Sequence, residues 1–179
     1  YAQTLIFPVG KPNDAYARYF IGQSYVAPIV TDGVPVVNVT FEPGCRNNWH
    51  IHQATTGGGQ TLVCVGGRGY YQEWGKEPIE LRPGDSVYIP AGVKHWHGAA
   101  PDSWFSHLAI EVPGEKTSNE WLEPVNDNEY SKISPQKVLN ISIIKMRRTN
   151  SLTQAQARVY SAPPPAWLPC RTAPRIRHR

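Results

Sequence analysis

The sequence predicts an all-β fold in which short strands form a barrel or a sandwich. Fifteen glycines and 17 prolines among 179 residues supply many turns. The segments between the turns are short and rich in valine, isoleucine, threonine and aromatic residues, which favour strands. These segments recur at regular spacing along the chain, which is typical of small all-β domains.

The predicted elements follow one another from the amino terminus. Residues 1–13 are predicted to be irregular, and residues 15–30 to form two short strands separated near Gly22. Asp32-Gly33 predicts a hairpin before residues 34–41, the most strand-like segment. Later strands are predicted at residues 50–52, 61–65, 69–74, 79–81, 86–89, 94–98 and 104–112. A short helix with Asn126 as its N-cap is predicted within residues 119–130.

Three histidines are candidates for a metal site. His50 and His52 are two residues apart, so a strand would turn both side chains to one face. A chain reversal through the glycines at 57–59 would form a hairpin and lay Gln60 beside these two histidines. His95 follows turns at Pro83 and Pro90 and would bring a third imidazole from another strand.

The two histidine-containing blocks together resemble the signature of the cupin superfamily. In the first block, five residues separate Gly44 from His50-x-His52, and in the second, Gly84 leads through Pro90-x-Gly92 to His95. The resemblance extends from residue 34 to about residue 130. It implies a single cupin barrel, also described as a double-stranded β-helix or jelly roll, with a short carboxy-terminal helix and a metal in its mouth. We therefore expect an arm with edge strands at 1–33, the barrel at 34–130 and a basic extension at 131–179.

The sequence departs from the cupin pattern at two positions. A glutamate is usual after three or four intervening residues beyond the second histidine, where this chain has Thr56 and Gly57, and the closing asparagine is replaced by Ala99. Gln60 is the nearest substitute for the glutamate, since its amide oxygen is a hard neutral donor. The expected ligands of one divalent ion are His50, His52, Gln60 and His95. Because all four are neutral, the ion would keep its full charge and act as a stronger Lewis acid.

This variant of the pattern is similar to a group of small bacterial cupins that includes manganese-dependent hydroxynitrile lyases and carboxymuconolactone-decarboxylase-type modules. The resemblance favours manganese, followed by iron, zinc or nickel. It also implies a substrate pocket walled by Val37, Val39 and Asn47, and acid–base groups at His97, His107 and Glu111. The residues alone leave the orientation of strand 104–112 open, because either His107 and Glu111 or Leu108 and Ile110 can face the interior.

The expected function is Lewis-acid and acid–base chemistry on a small oxygenated molecule, by a lyase or a decarboxylase-like enzyme. A metal-dependent oxygenase is the second interpretation, because open metal positions can also bind dioxygen. A non-catalytic cupin that binds a small ligand is the third, because fold alone does not imply function.

Charge, cysteine content and hydropathy set the expected partners and compartment. Residues 131–179 carry ten basic residues and no acidic one, whereas the remaining 130 carry eight basic and fourteen acidic residues. The basic tail is therefore expected to lie over the acidic body of its own chain or of a neighbouring copy, rather than to bind nucleic acid. The expected assembly is a homodimer. Three cysteines without a motif favour a reducing cytoplasm, and no apolar run has the length of a membrane helix.

Overall fold

A computed structural model describes residues 6–133 of the chain. Predictions that concern residues 1–5 and 134–179, including most of the basic extension and Cys170, lie outside the described residues. Within residues 6–133, the all-β prediction is confirmed: fifteen strands are joined by one 3-10 helix, Asp14–Tyr19, and one α-helix, α1, Asp127–Ser131. Neither helix is long and apolar enough to cross a membrane.

In chain order the strands are β1 Lys11–Pro12, β2 Phe20–Ile21, β3 Ser24–Val30, β4 Val36–Phe41, β5 Arg46–Asn47, β6 His50–Gln53, β7 Thr56–Gly57, β8 Gln60–Gly67, β9 Gly69–Glu73, β10 Ile79–Leu81, β11 Ser86–Ile89, β12 His95–Ala99, β13 Phe105–Glu111, β14 Gly114–Glu115 and β15 Ser118–Trp121.

Two antiparallel sheets make up most of the fold. The first has six strands in the order β1-β3-β4-β13-β8-β11. The second has seven strands, with β10-β9-β12-β5-β2 as its main path; β6 also pairs with β12, and β15 pairs with β6. Strands β7 and β14 form a separate short ribbon. Because successive side chains alternate across a strand, each sheet directs one set of residues toward the other sheet.

The main hydrophobic core contains inward-facing residues of both sheets. Phe41, Leu62 and Phe105 come from the first sheet, and Tyr71 and Ala99 from the second, and all are at most 1% exposed. Phe41 also contacts the rings of His97 and His107, so this core borders the histidines described below.

A second apolar cluster lies on the opposite face of β9 and β12, beneath α1. Tyr70 and Trp96 pack there against Tyr130 of the helix and Ile133. The Tyr130 hydroxyl donates to the Ala99 carbonyl at 2.7 Å. The guanidinium of Arg46 stacks on the Tyr130 ring and pairs with Asp127. These contacts fasten α1 to the back of β12.

Three sequence predictions about local structure are wrong. Lys11–Pro12 forms strand β1, paired with β3, although the sequence predicts an irregular segment over residues 1–13. Residues 15–19 form most of the 3-10 helix instead of a strand: the Tyr16 amide donates to the Asn13 carbonyl at 3.2 Å, and Tyr16 and Tyr19 pack against Trp121. The glycines at 57–59 do not close a hairpin, because β6 and β8 belong to different sheets. All three glycines have positive φ, and a Cβ at Gly59 would lie 2.2 Å from the Ile89 carbonyl oxygen. They therefore let the chain cross from one sheet to the other past β11.

Candidate functional site

Three buried imidazoles converge between the two sheets. His50 and His52 project from β6, and His95 projects from β12, where it lies directly opposite His50 in the strand register. One ring nitrogen from each residue lies within 4.8 Å of the others, so the three residues can hold a metal ion. All three are at most 5% exposed.

Hydrogen bonds orient these imidazoles. His50 and His95 each donate from Nδ1 to the backbone carbonyl two residues earlier, at 3.0 and 2.9 Å. His52 donates from Nδ1 to Oδ1 of Asn119 at 2.8 Å. With the proton on Nδ1, each ring keeps a lone pair on Nε2. The Nε2 atoms of His52 and His95 are buried and have no partner among the described residues, which fits metal ligation.

Burial favours the neutral, metal-binding form of His50 and His95. Burial lowers the pKa of His50 well below its ordinary value, and the neighbouring His95 ring lowers it further. Burial also lowers the pKa of His95 to about 4. Metal ligation by histidine requires this unprotonated state, so no proton has to be displaced near neutral pH.

Gln60 reaches the same space from the first sheet. Its side chain is buried, and Nε2 donates to Oε1 of Glu111, which faces it across the β8–β13 pair, at 2.8 Å. The opposite end of the amide, Oε1, is buried without a partner among the described residues. An unpaired buried acceptor calls for a ligand, and a divalent cation satisfies this donor type.

A second pair of histidines lies deeper in the site. His97 is on β12, two residues beyond His95, and His107 is on β13. His97 Nδ1 and His107 Nε2 share a hydrogen bond of 3.2 Å. Asn47 accepts from the backbone N–H of His97 at 2.9 Å, and its amide nitrogen lies 3.0 Å from Nε2 of the same ring. His107 Nδ1 is buried and is the one nitrogen of the pair without a partner among the described residues.

The orientation of β13, which the sequence left open, follows from this arrangement. His107 is fully buried and faces the space between the sheets, whereas Leu108 and Ile110 are half-buried on the opposite face. Burial lowers the pKa of His107 to about 4, and burial together with the His107 ring lowers that of His97 well below its ordinary value. Both imidazoles are therefore neutral at neutral pH.

A chamber of about 320 Å³ adjoins these groups. Nine of the ten site residues predicted from the sequence line it, including Val37, Val39 and Asn47, and the tenth, His95, lies beside it with its ring centroid 4.1 Å from that of His50. Most of the remaining wall is apolar. It is formed by Tyr16, Phe20, Val26, Pro28, Ala109 and Trp121.

Sequence reasoning missed two parts of the site. Trp121 stacks on His50 with a centroid distance of 4.8 Å and on Tyr19 at 4.6 Å. Asn119, which lies on β15 together with Trp121, orients His52. No local signal marks these residues, because they reach the site by pairing β15 with β6, more than 60 residues earlier.

A second cavity of about 380 Å³ lies next to the chamber. His52, Glu111 and Asn119 line both spaces. The Glu111 side chain is 46% exposed, and its second oxygen lies 3.9 Å from His52 Nδ1. Glu111 therefore stands at the boundary between the two cavities rather than deep in the chamber.

Comparison with known proteins identifies relatives of much of the chain. Residues 37–109 match the family model described as a cupin domain. The chain is 38% identical over 120 residues to an (R)-mandelonitrile lyase of Granulicella tundricola, covering 65% of this chain and 88% of the relative. The crystal structure of a cupin-like protein from Thermotoga maritima superposes with a TM-score of 0.63 at 38% identity, covering 73% of this chain and 97% of that one.

Proposed function

This chain belongs to the cupin family, and from that premise we propose that it is a metal-dependent lyase that cleaves 2-hydroxynitriles into a carbonyl compound and hydrogen cyanide. One observation carries the proposal. Three buried imidazoles and an unpaired amide oxygen adjoin one side of an apolar chamber, and a hydrogen-bonded histidine pair lines it deeper in the site. The similarity to a mandelonitrile lyase supports the choice of substrate class.

The proposed metal ligands are His50, His52, His95 and Gln60. The unpartnered donor atoms of His52, His95 and Gln60 fit a divalent cation, with manganese favoured and iron, zinc or nickel next. When bound, the ion supplies Lewis acidity that polarises the substrate oxygen, undiminished because no ligand carries a negative charge. The imidazole tautomers are already set by the Nδ1 hydrogen bonds, so the ligands need little rearrangement.

His107 and His97 are proposed to handle the proton. Cleavage of a 2-hydroxynitrile breaks the O–H and the C–CN bonds, and the proton lost by oxygen is the one that cyanide gains. His107 and His97 both line the chamber and share a hydrogen bond, so this pair is placed to exchange the proton with the substrate. The hydrogen shared with His97 lets the charge spread over two rings. Asn47 holds the His97 ring in place.

The chamber walls define the rest of the substrate. Val37, Val39, Phe20 and Trp121 offer no charged group, so the carbon substituent of the nitrile should be uncharged and apolar. Burying such a group in the chamber would exclude water from the reacting atoms. The polar end of the substrate would then face the histidines.

Turnover of racemic mandelonitrile by the purified protein tests this function. The assay follows benzaldehyde formation in acidic buffer, which suppresses uncatalysed decomposition, with the protein before and after chelation and reloading with Mn²⁺. We expect turnover that is lost on chelation and restored by the metal. Thermal stabilisation by mandelonitrile without turnover would instead indicate a ligand-binding cupin, and dioxygen consumption with the same compounds an oxygenase.

We also propose a homodimer in the cytoplasm. The described cysteines support a reducing compartment, because Cys45 and Cys64 are free, buried thiols. Burial raises the pKa of the Cys45 thiol to about 12 and that of Cys64 to about 11, so neither is a reactive thiolate. Size-exclusion chromatography with light scattering measures the oligomeric state directly.

A further inference from the structure

We propose that Glu111 is a positioning residue for the metal centre, acting through Gln60 rather than on the substrate. Its carboxylate would fix the Gln60 amide with Oε1 turned toward the imidazoles. This inference rests on the metal ligation proposed above. It assigns to Glu111 a different role from the acid–base role implied by its place in the family pattern.

The polarity of the Gln60–Glu111 contact is dictated by chemistry. An ionised carboxylate can only accept hydrogen bonds, so the end of the amide that faces Glu111 must be the N–H₂ group. The carbonyl end of the same planar group then points away from Glu111, and it is buried without a partner among the described residues. Without Glu111, nothing in this contact would prevent the amide from turning its nitrogen toward the imidazoles, where it could not bind a cation.

The backbone fixes where the carboxylate stands. Gln60 and Glu111 are directly paired residues of β8 and β13. The Glu111 amide donates to the Pro35 carbonyl at 3.3 Å, and the next amide, that of Val112, donates to the Gly59 carbonyl at 3.0 Å. Glu111 is thus held between two neighbouring segments, one of which leads directly into Gln60.

The charge of Glu111 also acts on the ligand atom. A hydrogen bond from N–H to a carboxylate is charge-assisted and stronger than a neutral one. It polarises the amide, so that electron density shifts toward the carbonyl oxygen and Oε1 becomes a better donor to a cation. The centre would gain the influence of a nearby negative charge while its four proposed ligands stay neutral.

The chain contains a matched control for this contact. Gln53, the residue after His52, donates from Nε2 to Oε2 of Glu120 at 2.8 Å. This pair has the same chemistry and also spans two paired strands, β6 and β15, but it is exposed and Gln53 does not line the chamber. Changes at Glu120 remove the same charge and the same type of hydrogen bond without affecting a proposed ligand.

Metal affinity of Glu111 variants tests the inference without measuring activity. The metal-free full chain is titrated with Mn²⁺, Fe²⁺, Zn²⁺ and Ni²⁺ against a competing chelator, and the dissociation constant is compared with those of Glu111→Leu and Glu120→Leu. We expect Glu111→Leu to weaken binding by about 10- to 100-fold, the usual effect of losing an outer hydrogen-bond partner of a ligand. Glu120→Leu should bind as the unmodified chain does. The electron paramagnetic resonance spectrum of bound Mn²⁺ should change in the Glu111 variant alone.

A side-chain exchange separates positioning from folding. Gln60→Glu alone would place two carboxylates in contact and disturb the site. In Gln60→Glu/Glu111→Gln the hydrogen bond is restored with donor and acceptor exchanged, so metal affinity should return to at least that of the unmodified chain. If Glu111→Leu binds metal normally, or the double variant gains nothing over Gln60→Glu, the positioning role is overturned while the metal site stands. If the unmodified chain binds none of the four ions, the metal site and the inference fall together.

Discussion

The buried imidazole of His107 makes the stability of the metal-free protein depend on pH. Its pKa is about 4 in the folded chain, because burial disfavours the charged ring, against an ordinary value of 6.5. The folded state therefore binds fewer protons than the unfolded state between these two values. Stability from this group is fully present above about pH 6.5 and is lost as the pH falls toward 4.

The size of the effect follows from the two pKa values. Between pH 7 and pH 5 the linkage relation gives a loss of about 2 kcal/mol from His107 alone. His107→Leu removes the titrating ring at similar volume. Between pH 7 and pH 5 the unmodified chain should therefore lose about 2 kcal/mol more of its free energy of unfolding than this variant does. Urea unfolding followed by tryptophan fluorescence, in the presence of a chelator, measures both values.

A core variant provides the control for this experiment. Phe41→Leu disturbs the same region, since Phe41 packs against the His107 ring at a centroid distance of 5.6 Å, but it removes no titrating group. It should lower stability by a similar amount at both pH values. If His107→Leu and the unmodified chain lose equal stability between pH 7 and pH 5, the His107 ring is not held neutral by burial and the reasoning fails.

Three further predictions concern the metal and the chemistry. His50→Ala/His52→Ala should lose bound metal and keep its β-sheet circular dichroism; equal metal content by elemental analysis would exclude these residues as ligands. His107→Ala should keep its metal and lower the turnover of mandelonitrile about 10²- to 10⁴-fold, the range for a lost general base, and unchanged turnover would remove His107 from the mechanism. Deleting residues 139–179 should leave metal stoichiometry unchanged, because all four proposed ligands lie within residues 50–95; loss of metal would show that the tail supports the site.

Local periodicity predicted those parts of the site that depend on one strand. His50 and His52 share a face because they are two residues apart, and His95 and His97 do so for the same reason. The pairing of His95 with His50 joins strands more than 40 residues apart, and only the family signature indicated it. Gln60 lines the chamber although the predicted hairpin is wrong, because the glycines carry it into the facing sheet.

The aromatic segment before residue 20 shows why other parts could not be predicted. Its alternation of aromatic and small residues fits a strand, but Tyr19 stacks on Trp121 at 4.6 Å, a contact across about 100 residues that favours the 3-10 helix. Propensity is a weak guide where such tertiary contacts decide the local conformation. Tyr16 and Trp121 of the chamber wall therefore come together only in three dimensions.

The attachment of α1 behind β12 has a consequence for anyone who transplants this site. Strand β12 presents His95 and His97 on one face and Trp96 on the other, where Tyr130 and Ile133 cover it. A graft limited to the two histidine motifs would leave Trp96 exposed to water on the recipient scaffold. It would also omit the Tyr130 bond to the Ala99 carbonyl at the end of the same strand. The smallest portable unit of this centre therefore extends to Ile133, well past the last histidine that it contains.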